Sequence, residues 1–317
     1  MDYNFTMSSR PTPLFRLQFG VFLRGICMGV ADLIPGVSGG TIAFISGIYA
    51  RLLTAFGMFS TPELWREGIN LEFGKVWRRA DGEFLTSLIL GILLSVVVFG
   101  GVLRYLLREH SHLLLGFFCG LVAASVVLVF ARLQIKKPPL KVMIHRLLLF
   151  VIGGAAAFIT VSLSPTTVTP SLPALFFGGM IAISAMLLPG ISGSYILLIV
   201  GLYAHVLEVL HARDFVSLFI FAAGCGSGLL AFARLLSYLM NRFHDSMLFL
   251  LAGVMLGALP KLWPWKAEGE GVKVILQPNV SPADFAGDAQ PIAVVALIVC
   301  GVLVVVGLHA ATKRTEK

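Results

Sequence analysis

The chain has 317 residues, 57% of them hydrophobic and only 13% charged, with a formal net charge of +8. Soluble proteins are about 25% charged, so this one lacks the polar side chains needed to cover a globule in water. That argues against a secreted domain, a nucleic-acid binder or a cytosolic enzyme. An all-α, multi-pass membrane protein is expected instead.

In chain order, Arg10 and Arg16 precede an apolar stretch that imitates a signal peptide. That stretch carries Arg24 and Asp32 and lacks a small-residue cleavage site, so it is read as retained. Region 17–53 is apolar but broken by Pro35-Gly36. Unbroken segments follow at 85–107, 113–131 and 143–163. A second broken region covers 172–210, with Pro189-Gly190 at its centre, and segments 215–239, 247–263 and 291–309 complete the set. Each unbroken segment is close to the ~20 residues that cross about 30 Å of hydrocarbon. The cysteines, Cys27, Cys119, Cys225 and Cys300, all fall in apolar stretches without metal-ligand spacing and read as small core residues.

Smaller features are assigned ordinary roles. Arg132 and Arg234, each within Phe-Ala-Arg-Leu, read as anchors at inner helix ends. Gly153-Gly154 and Gly224-x-x-x-Gly228 read as helix-packing surfaces. His110, His112, His205 and Glu208 fall near outer ends and read as bland or solvated. Segment 264–290 is a polar outer loop with no evident chemistry.

The two broken regions are copies of one another. Leu33–Leu53 aligns with Leu187–Leu207 at a constant offset of 154, with 11 of 21 positions identical. Pro35/Pro189, Gly36/Gly190, Ser38/Ser192, Gly39/Gly193, Gly47/Gly201 and Tyr49/Tyr203 all coincide. Three spans follow each copy, which divides the chain into repeats at 1–165 and 166–317.

Charge decides how the repeats are oriented. If each Pro-Gly region leaves and returns on one side, 18 of the 24 Lys and Arg residues share a side with both termini. The clusters at 51–83 and 132–146 fall there, while segment 164–173 is uncharged. Treating each broken region as a single kinked span would send those clusters outside, against the positive-inside rule. A hairpin plus three spans is an odd number of crossings, so the repeats are expected to be inverted, with N- and C-termini cytoplasmic. The rule is silent on whether the hairpin arms span fully or turn back. Turning back is favoured because it leaves Arg24 near the interface while Asp32 and the tip go deep.

The tips carry the chemistry. Pro suits a helix start, and glycines after it leave first-turn N–H groups uncovered at a positive dipole end. Gly36, Ser38, Gly39, Gly40 and Thr41 form one such set; Gly190, Ser192, Gly193, Ser194 and Tyr195 form the other. Opposed helix ends at mid-membrane cradle the charged part of a substrate in inverted-repeat transporters. The alternative is a tight turn with small residues for close packing. Asp32 has Met186 as its repeat partner; it carries a proton, pairs with Arg24 or caps the tip. Arg24 meets a phosphate or snorkels to the interface.

The string Asp32-Leu-Ile-Pro-Gly-Val-Ser-Gly-Gly-Thr41, with Leu188-Pro-Gly-Ile-Ser-Gly-Ser194, resembles the polyprenyl-phosphate transporter family. The resemblance covers most of the chain. It implies a non-enzymatic translocase that moves undecaprenyl phosphate across the bacterial cytoplasmic membrane, recycling the carrier lipid for peptidoglycan and other envelope glycans. It implies no cofactor, although proton or cation coupling would offset the membrane potential opposing inward movement of an anion. Membrane polyprenyl-diphosphate phosphatases share a Pro-Gly-x-Ser motif, but Gly39 and Gly193 stand where their motif has Arg. A phosphatase and a small-anion transporter or channel are the competing readings.

Overall fold

The computed structural model describes residues 17–34, 36–134, 138–166, 170–267 and 277–315. Pro35, Arg10, Arg16, Lys136, Lys137, Lys317 and the middle of the 264–290 loop lie outside those residues, as does the side chain of Arg132.

Among the described residues the chain is helical apart from turns and one isolated β-bridge, Lys266 with Asn279. The first half of the chain comprises α1 (Phe19–Asp32), α2 (Gly39–Ile45), α3 (Tyr49–Met58), α4 (Pro62–Ile69), α5 (Phe73–Arg79), α6 (Gly82–Glu109), α7 (Ser111–Val129) and α8 (Leu140–Ser162). The second comprises α9 (Leu172–Leu187), α10 (Gly193–Val200), α11 (Tyr203–Ala212), α12 (Phe215–Arg242), α13 (His244–Ala258) and α14 (Pro291–Thr315), with a 3₁₀ turn at Leu259–Leu262 after α13. Six helices among the described residues are long and apolar enough to cross a membrane. They match the six unbroken segments read from hydropathy. Ile89, Val97, Val151, Phe219 and Leu303 on these helices are exposed, as side chains facing lipid would be. The protein is a multi-pass membrane protein.

Local chemistry sets several helix ends. Pro62 and Pro291 open α4 and α14, where the missing N–H costs nothing. Asp214 caps α12 by accepting from the amides of Val216 and Ser217. The sequence reading made each broken region a two-armed hairpin, and the structure adds a further break. After the Pro-Gly turn the returning arm bends by 118° between α2 and α3, and by 102° between α10 and α11. Gly47 (φ 79°) and Gly201 (φ 82°) make these bends in the left-handed region, where a Cβ is strained. Region 51–83, expected as a loop, is largely helical, comprising most of α3 with α4 and α5.

Four helix pairs make up most of the packing. α1 lies along α6 and α9 along α12; α7 lies along α14 and α13 along α8. The last two pairs join helices from opposite halves of the chain. Backbones come close where glycine permits: Gly224 and Gly228 of α12 sit against the carbonyls of Phe176 and Met180, and Gly153 of α8 against that of Leu250. The assigned packing surfaces are therefore real contacts. At the end where α8 and α13 begin, Arg146 Nη2 meets Asp245 Oδ2 at 2.9 Å, both side chains 5% exposed. Asp245 also accepts from the Gln134 amide at 2.9 Å, holding the chain after α7 against α13.

Candidate functional site

The two Pro-Gly turns meet in the buried centre of the molecule. Gly36 (φ 85°) and Gly190 (φ 95°) take the left-handed backbone at each turn. Three hydrogen bonds join the first hairpin to the second around these turns. The Gly190 N–H donates to Thr41 Oγ1 at 2.9 Å, and Ser38 Oγ donates to the Met186 carbonyl at 3.2 Å. The Tyr49 hydroxyl donates to the Leu187 carbonyl at 2.9 Å. Ser38 and Thr41 are fully buried. Each of these groups would be costly to leave unpaired in apolar surroundings.

The first tip does not leave its amides bare, as the sequence reading expected. Asp32 Oδ1 accepts from the Gly39 N–H at 2.7 Å, and Ser38 Oγ accepts from the Gly40 N–H at 3.1 Å. A carboxylate thus occupies the positive start of α2, the position an incoming anion would take. Asp32 approaches so closely that a Cβ on Gly39 would overlap it. Of the roles considered for Asp32, the geometry shows the cap. Arg24 does not pair with it; its guanidinium turns back along α1 to the Gly20 carbonyl at 3.2 Å.

The second tip is wired differently. Met186 stands where the first copy has Asp32, and Ser192 makes no cap to the amides of α10. Its hydroxyl lies 2.9 Å from that of Ser194 instead. The N–H groups of Gly193 and Ser194 have no acceptor among the described residues. Tyr195, in the same turn, donates its hydroxyl to the Val161 carbonyl at 2.9 Å. α13 closes the site from behind, its Met255 Cα only 3.0 Å from where a Gly190 Cβ would be.

Of the residues named from sequence, Ser38, Gly39, Gly40, Thr41, Gly190, Ser192, Gly193, Ser194 and Tyr195 gather around this meeting point, with Asp32 and Gly36. Arg24 does not. Tyr49 was missed, although its identity with Tyr203 in the repeat was visible. Among the described residues, no group of three or more His, Cys, Asp or Glu side chains could hold a metal ion. The cluster offers backbone donors and hydroxyls, a chemistry suited to holding an oxyanion.

A family model described as VCA0040-like, undecaprenyl phosphate translocase-like, matches residues 28–274. A Vibrio cholerae protein named polyprenyl-phosphate transporter is 38% identical over 308 residues, covering 93% of this chain and 96% of its own length. A Staphylococcus aureus protein of the same name is 31% identical over 259 residues, 76% of this chain and 85% of its own. No solved structure matches the chain.

Proposed function

Because this chain belongs to the VCA0040-like, undecaprenyl phosphate translocase-like family, we propose that it carries a polyprenyl phosphate across the bacterial cytoplasmic membrane. Undecaprenyl phosphate is the intended substrate, returned for reuse as the carrier lipid of peptidoglycan synthesis. The two repeats, 1–165 and 166–317, insert in opposite senses, with both termini in the cytoplasm, as the positive-inside distribution requires. α2, with 7 residues, rises about 10 Å, which supports hairpins that re-enter rather than span.

The observation that carries this reading is the meeting of the two turns through hydroxyls and amides. A phosphate has enough acceptor oxygens to replace those contacts. It would take the open Gly193 and Ser194 amides and the Ser192 and Ser194 hydroxyls first, then exchange with the Thr41 and Ser38 contacts as the turns part. Alternating which side of the paired turns is open moves the headgroup while the tail stays in lipid.

Asp32 supplies the coupling. Moving an anion inward against an inside-negative potential costs about 2.3 kcal/mol per charge per 100 mV. A proton taken up by Asp32 removes the negative charge at the start of α2 and weakens its hold on Gly39, making that position available to phosphate. Proteoliposomes containing the protein should move a labelled polyprenyl phosphate between leaflets, faster with an imposed proton gradient. Asp32→Asn should abolish the gradient dependence. Release of inorganic phosphate from a polyprenyl diphosphate, without translocation, would replace this reading with that of a hydrolase.

A further inference from the structure

Beyond the paired turns, the stretch after α13 and the end of α8 line a cavity of about 320 Å³. Its wall includes Lys261, Lys266, Ser162, Ser164 and Asn279, with Phe158 at the apolar side. No acidic side chain lines it among the described residues. Lys266 is 3% exposed and donates to the Asn279 side chain and to the Pro260 carbonyl. Lys261 makes no hydrogen bond among the described residues; its ammonium faces the Tyr195 ring, 4.9 Å from the centroid. Burial and the neighbouring Lys261 charge push the Lys266 ammonium down to about 8. Two half-buried or buried cations side by side, with no carboxylate among the described lining residues, are better stabilised when an anion joins them.

The position of this cavity matters as much as its charge. Tyr195, which carries Lys261 on its ring, is in the first turn of α10, beside the open Gly193 and Ser194 amides. Its hydroxyl is bound to Val161, itself a wall residue. Phe158, Ile159 and Leu163, at the end of α8 flanking the cavity, are each half exposed or more. An alkyl chain can lie there while its headgroup enters. A neighbouring cavity of about 470 Å³ shares Lys266 but also contains Glu109 and Asp288, which disfavour an anion. On the side of the protein where the charge reading places only six Lys and Arg residues, three fall between 261 and 273.

We propose that Lys261 and Lys266 form a second phosphate site, a docking pocket that receives the phosphate monoester headgroup of the lipid before it reaches the α10 amides. This rests on the transport reading above and adds to it an entry point of defined chemistry. The headgroup displaces water from the lysines, with Ser162 and Ser164 within the same wall, and passes Tyr195 to the second tip.

The test uses the full chain in nanodiscs and measures equilibrium binding of a labelled polyprenyl monophosphate. Lys261→Gln removes a charge without breaking a hydrogen bond, and should weaken binding about tenfold, as loss of one charged contact does. Adding Lys266→Gln should weaken it further. Lys261→Arg, which keeps the charge, should retain affinity within about threefold. Equal losses in the Gln and Arg variants, or wild-type affinity in Lys261→Gln, would overturn the pocket. A parallel titration with inorganic phosphate separates the two sources of the anion. The lipid assignment stands if phosphate displaces lipid only weakly, and falls if phosphate fills the lysine pocket without affecting lipid binding. Should the wild-type protein bind and move no lipid phosphate at all, the transport reading itself fails. That result differs from a functional wild type with an indifferent Lys261→Gln.

Discussion

The two tips have the same Pro-Gly-x-Ser-Gly core yet spend their polar groups in different ways. At the first, Asp32 and Ser38 turn inward and satisfy the amides of Gly39 and Gly40. At the second, Met186 replaces the carboxylate, the serines bond to each other, and the Gly193 and Ser194 amides stay open. The repeated sequence supplies two matched helix starts, and only the first carries its own counter-charge. In the proposed cycle, one self-capped tip and one open tip would hold a single anion and separate when the cap is protonated. Two bare tips would repel each other as like partial charges, and two capped tips would offer nothing to bind.

Substitutions at matched positions can break or sharpen this contrast. The largest effect is expected for Gly190→Ala, which places a Cβ at φ 95° and 3.0 Å from Met255 Cα. Left-handed strain and overpacking together should cost about 2–4 kcal/mol, read as a lowered unfolding midpoint in detergent. Thr41→Val keeps the shape but strands the Gly190 N–H, and should cost about 1–3 kcal/mol. If it is neutral, the turns are not held together as described. Tyr49→Phe, removing one hydroxyl from the Leu187 carbonyl, should lower stability by about 1 kcal/mol. The smallest stability effect is expected for Ser192→Ala, about 0.5 kcal/mol, because its buried hydroxyl caps no amide and bonds only that of Ser194. Its effect should appear in polyprenyl phosphate binding instead. Ser38→Ala should show the opposite pattern, with clear destabilisation from the lost Gly40 and Met186 contacts.

Much of the fold was legible because hydrophobic periodicity and length are strong constraints in lipid. Six spans emerge within a few residues of their observed ends, since a backbone in hydrocarbon must satisfy itself as a helix. The bends after α2 and α10 were legible in principle. Gly47 and Gly201 were visible as matched positions, but an identity in an alignment does not say that the residue bends the chain. Lys261 and Lys266 were overlooked for a different reason. They sit in a polar stretch with no motif, and only the packing of the segment after α13 against Tyr195 turns two ordinary lysines into a lined cavity.

The sequence by itself determined that the chain is a helical membrane protein with a duplicated Pro-Gly turn, because composition, span length and an offset of 154 are local or one-dimensional properties. Tertiary structure alone decided how the tip donors are used. Whether the Gly39 amide meets Asp32, and whether the Gly190 amide meets Thr41 from 149 residues away, depends on where the helices carry them. Hydrogen bonds act only at contact distance and in the right direction, so no pattern along the chain can fix their partners.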